Sequence, residues 1–238
     1  MVMAAALAAA AEEKAVKAEM TPEERQHRML TATGGLVISP GKGGELLVLD
    51  LTGGKAGETV AETARLIGDV LKVRARAERR DAKGDPAAAA RAALGATNVA
   101  AVVAVAAGKG RPALLVAPED RWALVDAAGI LAAGGESRDV RLRKEVWRAA
   151  ALMMGAGNTG APQCPFRPVL SAADLDAFTG FQLAPATLAA VSAYAKAAGL
   201  AQTRQTTYRK ACEEGWAPAP TNDFQKAVWD EVKAKKAE

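Results

Sequence analysis

The chain has 238 residues, of which 50% are hydrophobic and 24% are charged, and its net charge is +4. This apolar content excludes a protein that is disordered throughout, and the length is sufficient for one large core. A net charge this small does not indicate the concentrated basic face that phosphate binding requires, so nucleic acid is not the expected partner.

The first eleven residues are uncharged and mostly alanine, and they end in Ala9-Ala10-Ala11. They resemble the apolar region and cleavage site of a secretory signal, which predicts an exported or periplasmic protein. The basic residues that normally open a signal are missing, so an Ala-rich helix and a cytoplasmic location stay open. No run reaches eighteen apolar residues, so no membrane span is predicted.

Residues 12–33 are charged and helix-prone, and Thr21-Pro22-Glu23-Glu24 is typical of a helix start. We therefore expect residues 1–33 to form a signal remnant followed by a helical arm. Two β-type runs follow, 35–39 and 45–51, and the glycine-rich segment 40–44 predicts a hairpin between them. Its Gly-Lys pair is followed by glycine and a strand, whereas a phosphate loop needs Ser or Thr at a helix, so we interpret it, and 108–112, as turns.

Helices and strands then alternate. The apolar spacing predicts two helices, at 58–72 and 86–94, and four strands, at 73–78, 98–106, 113–117 and 122–125. This order indicates an α/β (α+β) domain over 34–180, with helices packed on a mixed sheet.

After residue 140 the pattern becomes helical, which predicts an extension over 181–238 packed on that domain. The predicted helices are 141–154, 185–198 and 203–214, with a last amphipathic helix near the end of the chain.

The chain contains one histidine, His27, in the predicted arm. Ser-His-Asp and Cys-His mechanisms need a base beside the nucleophile, and no Gly-x-Ser-x-Gly turn accompanies any serine. His27, Cys164 and Cys212 share no spacing that is typical of a zinc finger or ribbon. The sequence therefore predicts neither a nucleophilic triad nor a zinc site built from these residues.

The most informative segment is residues 144–155, Lys-Glu-Val-Trp-Arg-Ala-Ala-Ala-Leu-Met-Met-Gly. It resembles the active-site helix of archaemetzincin-type zinc peptidases, whose pattern is H-E-x-x-H-x-x-G-x-x-H-C. Alignment on Glu145 places Lys144 and Arg148 at the first two ligand positions and Met154 at the third. Gly155-Ala-Gly157 and Cys164-Pro-Phe166 follow at similar places, and the resemblance covers residues 98–180.

The resemblance implies a zincin-like core in which an edge strand lies near residues 122–130. It also implies that only Glu145 of the zinc motif is retained. A guanidinium keeps its proton in proteins and an ammonium usually does, so Arg148 and Lys144 are not expected to bind zinc. We therefore predict an inactive zincin-like protein without catalytic residues, metal or cofactor, which has a binding or structural role and an unidentified partner, such as a protein or peptide.

Two cysteines, Cys164 and Cys212, remain. In an exported chain they predict one disulfide, and in a cytoplasmic chain they predict two buried thiols.

Two other functions stay open. A hydrolase could use Glu119, Asp120 and Glu145 if these carboxylates converge in a cleft. A nucleic-acid module would require its arginines to share one face: Arg74, Arg76, Arg79 and Arg80.

Overall fold

A computed structural model of the chain describes residues 20–39, 41–81, 84–108, 113–133, 135–161 and 164–237. The first nineteen residues, on which the signal prediction depends, lie outside this range. The described helices are α1 Pro22–Thr33, α2 Gly57–Leu71, α3 Pro86–Leu94, α4 Ala128–Ala133, α5 Gly135–Met153, α6 Pro185–Ala197, α7 Tyr208–Glu214 and α8 Asp223–Ala237. The described strands are β1 Leu36–Ile38, β2 Glu45–Leu51, β3 Ala75–Arg79, β4 Val99–Ala106, β5 Leu114–Ala117, β6 Trp122–Asp126 and β7 Gln205–Thr207.

Five strands form a mixed sheet in the order β3-β2-β4-β6-β5. Neighbouring strands run parallel except β5, which pairs antiparallel with β6 at one edge. Each residue of β4 is buried because this strand is central and helices cover both faces of the sheet. Its continuous apolar sequence is what parallel strands of this kind require, and the predicted mixed α/β sheet with packed helices is confirmed.

The two faces of the sheet have separate cores because successive side chains on a strand point to opposite sides. Leu46 and Val48 face α2 and α5. Leu47 and Leu49 face α3 instead. Helix α5 is therefore a central core element, and the side chains that it carries are positioned by the main apolar cluster.

The predicted hairpin between residues 35–39 and 45–51 is wrong. β1 pairs antiparallel with β7, from Leu36 opposite Thr207 to Ile38 opposite Gln205, and β2 lies in the five-stranded sheet. The glycine at position 41 allows two backbone segments to approach closely, because a Cβ atom there would lie only 2.4 Å from the carbonyl oxygen of Gln202. The other predicted turn, 108–112, lies outside the described residues apart from Gly108.

The chain divides into two compact units. Pro40–Thr203 forms one, and the two chain ends, Met1–Ser39 and Arg204–Glu238, form the other. Helix α6 belongs to the larger unit, because it packs on the main core through Val191 and Ala195. The smaller unit contains the packing of α7 against α8 and the pairing of β1 with β7, which patterns within short windows do not indicate.

The predicted helix start at Thr21 is confirmed. Helix α1 begins with Thr21, whose hydroxyl accepts a hydrogen bond from the Glu24 N–H while Glu24 bonds back to Thr21. The predicted helix at 203–214 is instead strand β7 followed by α7. Among the described residues, no helix has the length and apolar content to cross a membrane.

Candidate functional site

The segment that resembles a zinc-peptidase helix lies in the second half of α5 and is deeply buried. Trp147 is completely buried there, stacked on Phe166 at 5.5 Å between ring centroids and edge-on to Phe181 at 5.4 Å. Charged side chains occupy the same stretch, since Lys144, Glu145 and Arg148 are only 8%, 3% and 4% exposed. Long charged residues are almost never buried unless they are paired, so each must have partners.

Lys144 is paired with the main chain of a later segment. Its Nζ donates a hydrogen bond to the carbonyl oxygen of Leu175 at 2.8 Å, and the ammonium lies 4.9 Å from the centre of the Phe178 ring. A carbonyl acceptor and an aromatic face both favour a cation. Lys144 therefore connects α5 to the 3-10 helix Ala172–Ala177 and does not present a lone pair.

The guanidinium of Arg148 has hydrogen-bond partners in three residues. Its NH1 contacts Glu145 Oε1 and Oε2 at 3.2 and 3.1 Å. Its Nε donates to the carbonyl oxygen of Pro165 at 2.8 Å, and NH2 donates to that of Arg167 at 3.1 Å. The guanidinium thus neutralises the one acid of the motif and holds the loop that follows α5.

Glu145 is the motif residue that the resemblance retains. Burial raises the pKa of its carboxyl above the ordinary value, and the neighbouring Arg148 opposes this effect through its charge and hydrogen bonds. Both carboxylate oxygens accept from the same guanidinium nitrogen. The arrangement is that of a buried ion pair, which fits a structural contact better than a base that activates water.

A cavity of about 340 Å³ adjoins Glu145. Its walls include Glu145, Ala113 just before β5 and Asp126 at the end of β6, together with several residues between Val169 and Leu175. The motifs in the sequence did not indicate Asp126. Its position directly after a strand and before an Ala-rich helix was the available signal, and its Oδ1 accepts hydrogen bonds from the N–H groups of Gly108 and Ala128.

The remaining motif positions offer no metal ligand. Met154, at the place of a third histidine, is completely buried in the apolar core. Among the described residues, no group of three or more His, Cys, Asp or Glu side chains is arranged to hold a metal ion. Together with the hydrogen bonds of Lys144 and Arg148, this chemistry does not fit a zinc ion at the motif.

The predicted disulfide between Cys164 and Cys212 is not formed, since both are free and buried. The two cysteines lie in different compact units, and each thiol has its own surroundings. Burial raises the pKa of the Cys164 thiol, but hydrogen bonds from Thr159 and from the backbone of Phe166 and Arg167 outweigh it and leave this pKa below its usual value. Burial raises the pKa of Cys212.

The carboxylates of the hydrolase alternative do not converge. Glu119 and Asp120 are exposed in the turn that precedes β6, whereas Glu145 lines the cavity beside Asp126 at the other end of that strand. Two further acids have structural partners: Asp174 caps the 3-10 helix through Ser171, and Asp176 pairs with Arg141 at 2.6 Å.

The arginines of the nucleic-acid alternative do not form a free basic face. Arg74 and Arg76 pair with Glu45 at 2.6 and 2.9 Å. Arg76 and Arg80 also pair with Glu78. Because alternate residues of a strand face opposite sides, Arg79 points away from Arg76, and it donates to the carbonyl oxygen of Gly53.

Two solved structures resemble the fold of this chain. The structure of archaemetzincin from Methanopyrus kandleri superposes with a TM-score of 0.52 and 16% identity, over 65% of this chain and 96% of that one. The chain has an archaemetzincin-like fold. A zinc-dependent peptidase from Methanocorpusculum labreanum (strain Z) gives a TM-score of 0.46 and 14% identity, over 62% of this chain and 100% of that one. No protein-family model and no curated protein matches the sequence.

The archaemetzincin-like fold confirms the resemblance that the segment around Glu145 suggested. One predicted detail is corrected, because the strand at Trp122–Asp126 is internal, flanked by β4 and β5. The edge strand is β5, which the short intervening turn folds back against β6.

The buried ion pair generates a prediction for stability. We expect Arg148→Met to lower the free energy of unfolding by about 3 to 5 kcal/mol at neutral pH, because it leaves the Glu145 carboxylate buried without its partner. The pKa of Glu145 is already raised in the folded protein, and losing Arg148 raises it further. The folded state then binds more protons than the unfolded state, so the loss grows as pH rises above about 4.5.

Urea unfolding at pH 5 and pH 8 measures this effect. The double variant Arg148→Met/Glu145→Gln is the matched control, since it removes the titrating group and should lose the extra pH dependence. Equal losses for the single and double variants at both pH values would contradict a buried charge at Glu145.

Proposed function

We propose that the protein is a zincin-like scaffold without peptidase activity that binds an extended segment of a protein or peptide. One observation carries the first half of this proposal: Lys144 and Arg148, which the alignment on Glu145 places at two zinc-ligand positions, both donate to main-chain carbonyls. Zinc requires electron-pair donors at these places, and a hydrolytic zinc site requires a bound water that the metal activates. Neither is compatible with buried cations.

Metal analysis directly tests the proposed absence of zinc-peptidase activity. After exposure to excess zinc and removal of the unbound metal, the purified protein should retain far less than one zinc ion per chain, whereas a known zinc peptidase treated in parallel keeps its metal. Peptide hydrolysis should also be equal for the natural protein and for Glu145→Gln. Stoichiometric zinc, or hydrolysis that disappears in Glu145→Gln, would refute the proposal.

The open edge of the sheet supports the second half of the proposal, the binding of an extended segment. Among the described strands, β5 pairs only with β6. The Asp126 N–H donates to the Ala113 carbonyl oxygen at 2.9 Å. Because hydrogen-bonded and non-hydrogen-bonded pairs alternate in an antiparallel ladder, Leu115 forms main-chain hydrogen bonds with β6. Leu114 and Val116 direct their N–H and C=O groups away from β6, towards the open edge. Unpaired strand edges bind extended peptides by strand addition.

The cavity provides a place for a side chain of such a peptide. Ala113 lies directly before β5 and in the cavity wall, and Leu115 of β5 is 38% exposed. Because main-chain pairing gives affinity and side-chain pockets give specificity, an edge strand next to a cavity is suited to peptide recognition. Asp126 and Glu145 supply the acidic groups of this cavity.

A proline substitution in β5 tests the proposed binding of peptides at this edge strand. Peptides selected from a random twelve-residue display library should bind Val116→Pro about tenfold or more weakly than the natural protein, because proline removes the outward N–H but none of the ladder to β6. Val116→Ala is the control and should bind nearly as the natural protein does. Failure to select any peptide, or equal binding to both variants, would contradict strand addition at β5.

We also propose that the protein is exported. The support is the uncharged Ala-rich run at residues 1–11, which lies outside the described residues. Alkaline phosphatase, which needs disulfides and so is active only outside the cytoplasm, should become active when fused after residues 1–33. The same fusion without residues 1–11 should be inactive, and activity independent of that run would contradict the proposal.

A further inference from the structure

A second cavity lies in the smaller compact unit, between α7 and α8, and has a volume of about 230 Å³. Four residues of α8 line it: Trp229, Val232, Lys233 and Lys236. Their spacing of three and four residues places them on one face of the helix. Cys212 of α7 and Ala217 of the following segment form the opposite wall.

The inner walls of this cavity are apolar and well ordered by packing. Val232 and Cys212 are 5% and 7% exposed. Tyr208 packs behind Trp229 at 6.4 Å between ring centroids, and its hydroxyl donates to the carbonyl oxygen of Pro218 at 2.8 Å. This hydrogen bond ties the segment after α7 to Tyr208.

The mouth of the cavity is cationic. Lys236 Nζ donates to the carbonyl oxygens of Cys212 and Glu213 at 2.9 and 2.7 Å, so it is fixed at the end of α7. Lys233 Nζ lies 4.7 Å from the centre of the Trp229 ring. Within the part of the chain that the structure describes, neither ammonium group belongs to an ion pair.

The charged residues that line the cavity are both lysines. Of the acids nearby, Glu231 is bound by Arg209 and Lys235 at 2.6 and 2.8 Å, and Glu214 is bound by Arg204. Glu213 and Asp230 have no ion pair among the described residues, but neither of them lines the cavity. The cavity wall itself is therefore cationic at the mouth and apolar inside.

We propose that this cavity binds a small amphiphilic monocarboxylate. Its hydrocarbon part lies against Trp229 and Val232, and its carboxylate meets Lys233 at the mouth. With a volume of about 230 Å³ the cavity is small, so the ligand is a short-chain acid, for which hexanoate serves as the probe. Pockets of this kind are apolar with a few polar groups that fix orientation, and Lys233 is the group that would do so.

Titration of the full chain with hexanoate tests the proposal. The indole N–H signal of Trp229, assigned by its loss in Trp229→Phe, should shift with saturation in the NMR spectrum. Lys233→Gln should weaken hexanoate binding by about tenfold, which corresponds to loss of one charge-assisted contact. Lys226→Gln, the same charge change on the same helix but outside the cavity, should leave the affinity within about twofold.

Two ligands with the same six-carbon chain, neutral hexanol and cationic hexylamine, serve as comparisons for hexanoate. Hexanol should bind about tenfold more weakly than hexanoate, and hexylamine should not shift the Trp229 signal. The proposal is overturned if hexanoate gives no saturable shift, if hexanol binds as well as hexanoate, or if Lys233→Gln and Lys226→Gln have the same affinity. Lys233 is exposed, so its replacement does not disturb the core.

Discussion

The ion pair between Arg148 and Glu145 is the contact on which the centre of this protein depends. Removing both charges from water has a cost that their mutual attraction alone does not offset, so every remaining donor needs an acceptor. Those acceptors are the carbonyl oxygens of Pro165 and Arg167. The loop after α5 must therefore lie against the helix. Lys144 imposes the same condition on the segment around Leu175, and Trp147 adds apolar contact with Phe166 and Phe181.

The same constraint links α5 to the segments that follow it in this archaemetzincin-like fold. A structural metal links distant parts of a chain through its ligands. Here, two long cationic side chains link α5 to residues 165–175 through hydrogen bonds. These hydrogen bonds hold the buried second half of α5 against that segment, and a cavity lies beside Glu145.

Much of the fold could be predicted from the sequence because the relevant signals are local. The continuous apolar run of β4 and the Thr21 helix cap each occupy a few consecutive residues. The partner of β1 could not be predicted, because β7 lies about 170 residues later and pairing strength depends on contacts, not on pattern. At the site, the sequence identified Lys144, Glu145 and Arg148. It could not indicate that the cations reach carbonyls 17 to 31 residues away, nor that Asp126 shares the cavity with Glu145.

The acceptors of Lys144 and Arg148 are peptide carbonyls, which every amino acid possesses. Residues 165, 167 and 175 can consequently be exchanged over evolution without loss of these bonds, provided that the backbone keeps its course. Only the cationic positions on α5, Lys144 and Arg148, require particular residue types. At these three positions the contact with α5 therefore constrains the path of the backbone and leaves the side chain free to vary.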